Sequence, residues 1–204
     1  MLFKKKPEIE KFKLVTPTIE YKDRAINYIK EHYKYGSRIN GAGRLYDYLD
    51  NYEEWLKKIE EQKKYEVTIS QVPSETYFLV RENDDKIVGM INIRTKLNER
   101  MKKSGGNIGY GIRPKERRKG YNKINLYLAL LKCQKYGIKN VILSCRKDNI
   151  GSSKTMKALG GYYDREIYSI VENCIIEFYR IDVDYAVETY RDKYEKYISE
   201  SYEV

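Results

Sequence analysis

The sequence is poor in the residues that build metal centres and disulfide frameworks. Its 204 residues include three cysteines and one histidine. Cys133, Cys145 and Cys174 lie far apart in apolar or β-like surroundings, and no C-x-x-C pair occurs. Structural zinc sites and disulfide bridges need paired or clustered ligands of these types. We therefore expect no metal and no disulfide, and we interpret the cysteines as free thiols in a reducing cytosol.

Long apolar runs are absent as well. No segment reaches the roughly 20 residues that a membrane-spanning helix needs. The N-terminal sequence MLFKKKPEIEKF has no apolar stretch long enough for a signal peptide. No internal repeat or low-complexity linker interrupts the chain. These absences predict a soluble, cytoplasmic protein without a membrane partner, built as one domain over residues 1–204.

Charge, by contrast, is abundant and mostly positive. Forty basic residues against 30 acidic ones give a formal net charge of +10, and a hydrophobic fraction of 41% is enough for a core. Such an excess suits nucleic acid, an anionic membrane or a multiply phosphorylated cofactor. No nucleic-acid-binding module occurs in the sequence, and one of the densest basic runs extends from Lys115 to Lys123. We therefore expect a phosphorylated cofactor and no nucleic acid.

Hydrophobic periodicity divides the chain into a helical first part at 16–64, a strand-rich core at 76–183 and a helical tail at 185–204. In chain order, the predicted elements are helices from Thr16 to Tyr35 and from Asp50, strands at 76–80, 86–94 and 107–113, a helix at 124–136, a strand at 141–145, a short helix from Asn149, strands at 162–170 and 174–183, and a terminal helix at 185–198. Helices and strands thus alternate only in the middle of the chain.

The segment from Pro114 to Lys123 has the composition of a phosphate-binding loop. A strand ends, basic residues cluster, Gly120 follows, and a long helix starts at once. The first turn of a helix presents unpaired N–H groups and about half a positive charge. A glycine before that turn lets a bulky anion approach the backbone. The loop is therefore either a diphosphate site or an ordinary basic turn before a helix.

Two motifs resemble those of the GNAT superfamily of N-acetyltransferases. Its hallmark, R/Q-x-x-G-x-G/A between the fourth strand and the next helix, matches Arg117 to Asn122 except that Asn122 replaces Gly or Ala. The segment from Asn149 to Ser152 is similar to the family's N-x-x-[AS] helix start after the fifth strand, and Gly160 ends that helix at the usual distance. The resemblance spans about Tyr77 to Arg180 and includes a bacterial subgroup of predicted acetyltransferases.

The resemblance implies a fold and a cofactor. The fold is α/β (α+β), with a mixed, mostly antiparallel sheet flanked by helices and splayed between its fourth and fifth strands. Acetyl-CoA would lie in that gap as co-substrate, an amine acceptor would lie beside the first helices, and the protein would be a monomer or a homodimer. The implied cofactor contacts are the backbone of Tyr110 and Ile112, the loop residues Arg117, Arg118, Lys119, Gly120, Tyr121, Asn122 and Lys123, and Asn149 and Ser152 on the pantetheine arm. Helix capping explains Ser152 equally well.

The implied reaction is the attack of a neutral amine on a thioester. An alkyl amine has a pKa of about 10, so it must lose a proton before or during attack. The developing oxyanion needs a hydrogen-bond donor, and the resemblance implies that the backbone N–H of Ile112 supplies it. The leaving thiolate must either take a proton or leave as an anion. A thiol pKa of about 8.5 makes the thiolate a fair leaving group.

The proton carriers that relatives commonly use are missing from their usual places. Asn107 lies where many relatives have a glutamate base, and Met156 lies where many have a tyrosine acid. We name Glu99, just past the strand at 86–94, as candidate base and Tyr162 as candidate acid. Two further candidate acids are Tyr163 and Cys145. Solvation of Glu99 and packing of the other three explain the same residues without catalysis.

Two more polar residues are interpreted without a catalytic role. His32 is assigned to the exposed surface of the first helix. Arg94 ends the strand at 86–94, and we interpret it as a solvated strand-end residue. The alternative is that Arg94 faces the acceptor cleft and holds an anionic group of the substrate.

Three functions stay open. We predict transfer of an acetyl group from acetyl-CoA to a primary amine of a small molecule. The alternatives are acetylation of a protein or peptide amine, and a non-catalytic acyl-CoA sensor with the same fold. The missing proton carriers keep the sensor in consideration, because fold alone does not establish function.

Overall fold

The computed structural model of the protein describes residues 9–202. Seven strands and seven helices follow the predicted order with two additions. In chain order they are β1 (Phe12–Val15), α1 (Lys22–Lys34), α2 (Tyr52–Gln62), β2 (Ser74–Arg81), β3 (Lys86–Arg94), α3 (Glu99–Ser104), β4 (Ile108–Ile112), α4 (Tyr121–Lys135), β5 (Asn140–Arg146), α5 (Ile150–Lys157), β6 (Tyr162–Ser169), β7 (Cys174–Asp182), α6 (Val183–Thr189) and α7 (Arg191–Tyr194).

The two additions, β1 and α3, were missing from the sequence prediction. Strand β1 has four residues, too few to show a period beyond the buried pair Phe12 and Leu14. Helix α3 buries no residue, so no apolar stripe marks it. Its start is fixed instead by Asn98, whose side chain accepts a hydrogen bond from Met101 N at 2.8 Å. With β1 counted, the strand before the basic loop is the fourth, β4.

Two helix boundaries also differ from the prediction. Helix α1 begins at Lys22 rather than at Thr16, because a 3-10 turn at Ile19–Tyr21 precedes it. The C-terminal tail is not one helix from residue 185. It starts at Val183, where the Asp182 side chain caps Tyr185 N at 3.0 Å, and it is divided into α6, α7 and a 3-10 turn.

The strands form two antiparallel sheets rather than one. The first has the order β1-β2-β3-β4 and the second the order β5-β7-β6. Within the described residues, β4 and β5 are joined by a bridge between Gly106 and Leu143, at the start of β4. Beyond that bridge the two strands separate and leave a gap. The predicted fold, an α/β arrangement of mostly antiparallel strands splayed between the fourth and fifth, is confirmed.

Helices cover both faces of the first sheet. On one face α1 and α2 bury the large side chains Tyr28 and Trp55 against β2 and β3. On the other face α4 packs its apolar residues against both sheets, including Leu126 and Leu130. Trp55 also donates its indole N–H to the Gly43 carbonyl at 2.8 Å. The long loop between α1 and α2 is thereby held against the sheet, beside the gap.

Candidate functional site

The gap between β4 and β5 exposes unpaired backbone. Arg113 N donates to Val88 O at 2.9 Å and Arg94 N donates to Asn107 O at 2.7 Å, so odd-numbered residues of β4 face β3. Because successive residues of a strand point their backbone groups to opposite sides, those of Tyr110 and Ile112 face away from β3. Arg117 Nε donates to the Ile112 carbonyl at 3.0 Å. Tyr110 and the Ile112 N–H are therefore directed toward the gap.

The basic loop at the open end of the gap has the backbone of an anion site. Gly120 is left-handed with φ 88°, and Arg118 is left-handed with φ 64°. Gly120 precedes α4 without any side-chain cap, so the first N–H groups of the helix are free of a side-chain acceptor. Alternating backbone handedness of this kind makes concavities that bind anions.

The side chains of this loop divide into two groups. Arg117 donates to Ser37 Oγ at 2.6 Å as well as to Ile112 O, and Lys119 forms an ion pair with Glu116 at 2.7 Å. These two charges hold the loop in place. Among residues 9–202, neither Arg118 nor Lys123 forms an ion pair. The loop is therefore anchored by one pair of basic residues and has another pair available for a ligand.

Glu116 is the buried centre of that anchor. Its carboxylate is 4% exposed and pairs with Arg81 at 3.1 Å, Lys86 at 2.5 Å and Lys119 at 2.7 Å. Burial alone would raise the pKa of Glu116, but hydrogen bonds from Lys119 and Lys86 and the charge of Arg81 lower it to about 2. The carboxylate is therefore charged in the folded protein at any ordinary pH.

The Glu116 anchor predicts acid-dependent stability. A folded-state pKa below the unfolded value stabilises the fold above pH 4.5, and that contribution is lost as the pH falls toward 2. At about 1.4 kcal/mol per pKa unit, discounted for the exposed ends of the lysines, the contribution is about 2 kcal/mol. Urea unfolding of Glu116→Gln should show this loss at pH 7 and a flatter pH profile below 4.5. A profile as steep as wild type would contradict the assignment.

Helix α1 holds the connector between β4 and α4 from the other side. Arg113 Nη1 donates to Glu31 Oε2 at 3.1 Å and to Asn27 Oδ1 at 2.8 Å. The Lys115 N–H donates to the second oxygen of Glu31 at 3.0 Å. Sequence reasoning missed these residues, because no local pattern links side chains more than 80 positions apart. Helix α1 is thus joined by direct hydrogen bonds to the segment that leads into the basic loop.

Polar side chains meet across the gap at the start of α5. Asn149 caps this helix by accepting from Ser152 N at 3.2 Å, so Asn149 rather than Ser152 is the cap. Ser152 Oγ lies 2.8 Å from the Tyr110 hydroxyl. Burial raises the pKa of Tyr110, and it raises the pKa of the neighbouring Cys145 to about 11. Both groups are therefore protonated at neutral pH. The sequence analysis considered only the backbone of Tyr110 and missed its hydroxyl.

The other motif residues lie around the same helices. The Tyr121 hydroxyl points inward and accepts a hydrogen bond from Arg81 Nη1 at 3.3 Å. Asn122, the departure from the family hallmark, donates to Thr155 Oγ1 at 3.4 Å and leaves its buried Oδ1 without a partner among the described residues. The side chain thus joins α4 to α5. Roles of these residues in cofactor binding stay predictions.

The candidate proton carriers do not gather at the gap. Glu99 is 76% exposed and pairs with Lys102 at 2.7 Å, which lowers the pKa of Glu99 and makes it a weak base. Tyr162 and Tyr163 lie on the edge strand β6 and are about half exposed. Cys145, by contrast, is a neighbour of Ser152. The catalytic roles of Glu99 and Tyr162 stay predictions that this placement does not favour.

His32 is not a surface residue. It is fully buried on α1, where its Nδ1 lies 3.0 Å from the Tyr28 carbonyl and its Nε2 has no partner within the described chain. Burial lowers the pKa of His32, and the nearby Arg117 lowers it further. A helical spacing from Ala25 and Tyr28 places His32 on their buried face. That spacing was the signal in the sequence.

The sequence model of the acetyltransferase (GNAT) family matches residues 43–160, more than half of the chain and the whole region of the gap. The protein belongs to the GNAT acetyltransferase family. The resemblance drawn from the two motifs is thereby confirmed, as is the expectation of an acetyltransferase. No protein with a curated description matches this GNAT chain in sequence.

Solved GNAT structures share the fold. RimJ of Mycobacterium smegmatis in complex with CoA-disulfide is 10% identical, with 90% of this chain and 92% of that chain covered and a TM-score of 0.67. The ribosomal-protein-S5-alanine acetyltransferase of Vibrio fischeri is 14% identical, with 88% and 96% covered and a TM-score of 0.66. A spermidine N-acetyltransferase chimera from Vibrio cholerae SpeG and hSSAT is 12% identical, with 87% and 98% covered and a TM-score of 0.61. Likeness at these identities concerns the fold.

Two further findings concern metals and membranes. In the part of the chain that the structure describes, no group of three or more His, Cys, Asp or Glu side chains is positioned to share a metal ion. Within residues 9–202, no helix has both the length and the apolar character needed to cross a bilayer.

Proposed function

We propose that the protein transfers the acetyl group of acetyl-CoA to a primary amine by direct attack. The observation that carries this proposal is the gap between β4 and β5, which ends at a basic, left-handed loop before α4. An extended pantetheine arm fits such a gap because the Tyr110 backbone and the Ile112 N–H lack strand partners there. The helix N-terminus and the two unpaired basic residues suit the diphosphate. Solved relatives in complex with CoA-disulfide or acetyl-CoA support the same cofactor.

The polar pair across the gap supports a proton donor. The nitrogen attacks the thioester carbon, the C–S bond breaks, and the sulfur takes a proton. The Tyr110 hydroxyl is protonated and lies 2.8 Å from Ser152 Oγ on α5, and Tyr110 belongs to a strand that would flank the thioester. We assign the acid role to Tyr110 ahead of Tyr162, since Tyr162 is solvated on an edge strand. The proton that the amine loses goes to solvent or passes through Ser152 to Tyr110, which is thereby reprotonated.

Mutation of the two tyrosines separates these assignments. Tyr110→Phe should lower kcat about tenfold while leaving CoA affinity within about twofold, because only the proton transfer is lost. Tyr162→Phe is the matched control and should leave kcat unchanged. Steady-state release of CoA thiol measures kcat, and calorimetry measures affinity. A loss confined to Tyr162→Phe would restore the original assignment.

The acceptor is the open part of the proposal. A primary amine of a small molecule is our first candidate, and a protein or peptide amine is the second. Solved relatives include enzymes named for spermidine and for ribosomal proteins, so fold likeness favours neither class. Thiol release should be followed over polyamines, amino acids, aminoglycosides and peptides. Cofactor binding with no release by any amine would favour the sensor.

A thermal-shift measurement tests cofactor binding separately from acetyl transfer. A ligand that binds only the folded state raises Tm by mass action. At a free ligand concentration of 100 times Kd, it stabilises the folded state by about 2.7 kcal/mol. Millimolar acetyl-CoA should therefore raise Tm by several degrees. Absence of any shift would contradict the cofactor site itself. The cytoplasmic location, the single-domain organisation and the choice between monomer and homodimer stay predictions.

A further inference from the structure

Arg94 is a guanidinium without a counter-charge. It ends β3, is only partly exposed, and donates from Nη1 to the Gly106 carbonyl at 3.0 Å. Within residues 9–202 no carboxylate forms an ion pair with it, and burial alone lowers the pKa of Arg94. Desolvating a cation without a partner costs free energy. Arg81 and Arg113, by comparison, each have carboxylate partners.

Arg94 lies on the acceptor side of the gap. Side chains of alternate strand residues share a face, so Arg94 lies on the same face as Met90, which packs in the core of α1 and α2. The loop between these helices lies directly on β4, since a side chain at Gly41 would come within 2.7 Å of the Gly109 carbonyl. This face is opposite to α4.

The same face continues onto the second sheet with more guanidinium groups. Arg165 stacks 4.2 Å from the Phe178 ring and donates to the Lys102 carbonyl at 2.6 Å. Arg94 and Arg165 thus approach the Lys102–Gly106 connector from the two sheets. Arg165 is paired with Asp164, so its charge is compensated, whereas that of Arg94 is not.

At the other end of this face, an ion pair joins the two sheets. Arg38, in the loop after α1, pairs with Glu172 in the turn between β6 and β7. We call the face between this pair and Arg94 the acceptor-side face. Its bounding charges include four guanidinium groups and three carboxylates. They belong to Arg38, Arg94, Arg146 and Arg165, and to Asp148, Asp164 and Glu172.

We infer that Arg94 binds an anionic group of the acceptor, so that the substrate is an amine carrying a carboxylate or similar group at a distance from the reacting nitrogen. The inference rests on the proposed transfer reaction for the identity of the acceptor site. Gly106 lies four residues before Tyr110, and four strand residues span about 13 Å. A short peptide or a long amino acid bridges such a distance. A polyamine lacks the anionic group that Arg94 would bind.

A purely structural role for Arg94 makes a different prediction. The Gly106 carbonyl follows the end of α3, where a cation is favourable. Were Arg94 only a cap, its replacement would lower stability and would affect acidic and neutral acceptors equally.

The experiment uses two matched pairs of probes with the CoA-bound protein. One pair is ω-aminooctanoate and its amide, and the other is two tetrapeptide amides that differ only by Glu or Gln at the third position. Calorimetry with the CoA-bound protein measures binding, and thiol release from acetyl-CoA measures turnover. Wild type should bind the acidic member of at least one pair roughly tenfold more tightly than its neutral partner, and the pair that discriminates identifies a small-molecule or a peptide acceptor. Arg94→Gln should abolish the discrimination, and Arg94→Lys should retain part of it.

Controls keep the outcomes separable. Arg180→Gln removes a guanidinium that already pairs with Asp164 at 2.8 Å, and it should leave the discrimination intact. Should Arg94→Gln not fold, as judged by loss of a cooperative thermal unfolding transition, Arg94→Lys carries the test. Equal binding of both members, no binding of either acid, or an equal loss for both members in Arg94→Gln would overturn the inference. Preferential binding of the acid without any thiol release would sustain the Arg94 site and remove the transfer reaction.

Discussion

Replacing Gly120 by Asp is expected to weaken acetyl-CoA binding by about 1000-fold, or about 4 kcal/mol, without unfolding the protein. The new carboxylate would occupy the N-terminus of α4, where the diphosphate is proposed to bind. It would repel the phosphates, and it would accept hydrogen bonds from the N–H groups that the phosphates need. A Cβ at Gly120 meets no atom within 4 Å, so the substitution creates no clash. Asp is also a favourable helix N-cap, which offsets part of the strain of φ 88°.

Two control variants separate charge from backbone strain. Gly120→Asn has nearly the same shape and tolerates left-handed backbone, but it has no charge, so affinity should fall by no more than about tenfold. Gly137→Asp places the same carboxylate at the other end of α4, where φ is 70° and no atom lies within 4 Å. It should lower stability near the negative end of the helix dipole and leave affinity unchanged. Calorimetry and Tm measure both quantities. Equal losses for Asp and Asn would show that strain, and not charge, controls the site.

The backbone of the basic loop before α4 could be predicted from sequence because its physics is local. A strand end, a glycine and a helix start within ten residues determine where free N–H groups point. The partners that hold the loop could not be predicted in this way. Glu31 and Ser37 reach it from α1 and the residues just after it, and Glu116 is neutralised in part by Arg81, far back in the chain. Only the tertiary fold brings such residues together.

The limits of the fold prediction have the same origin. The long, periodic elements were found, whereas β1 and α3 were too short or too exposed to leave a pattern. His32 is a different case, since its spacing from Ala25 and Tyr28 was informative and was not used. Catalytic residues are the hardest to name, because proton carriers are defined by geometry around the thioester. The sequence could name acids and bases, but it could not tell that Tyr162 is half exposed or that Glu99 pairs with Lys102.

Asn107 leads to the second large prediction. It occupies the neighbourhood in which many relatives have a base, yet its bonds are structural. Its Oδ1 accepts from Ile142 N at 2.9 Å and its Nδ2 donates to Arg94 O at 3.2 Å. Its own N–H donates to Ile142 O at 2.6 Å. Asn107 therefore joins β3, β4 and β5 at the closed end of the gap.

Asn107→Leu should lower the free energy of unfolding by roughly 4 kcal/mol, because it leaves two backbone groups at the junction of the sheets without partners. It should also weaken CoA binding, since the junction fixes the angle at which β4 and β5 separate. Urea unfolding and calorimetry measure the two effects.

The matched control for this variant is Asn92→Leu. Asn92 is another buried asparagine, which donates to Thr76 Oγ1 at 3.1 Å and to Glu75 O at 3.3 Å. Both partners belong to the first sheet, so its loss should lower stability while CoA affinity stays within about twofold of wild type. If the two variants affect affinity equally, the gap is not set at Asn107. If Asn107→Leu costs less than about 1 kcal/mol, the junction relaxes around the change, and the separation of β4 from β5 must be maintained by helix packing from α4 and α5 instead.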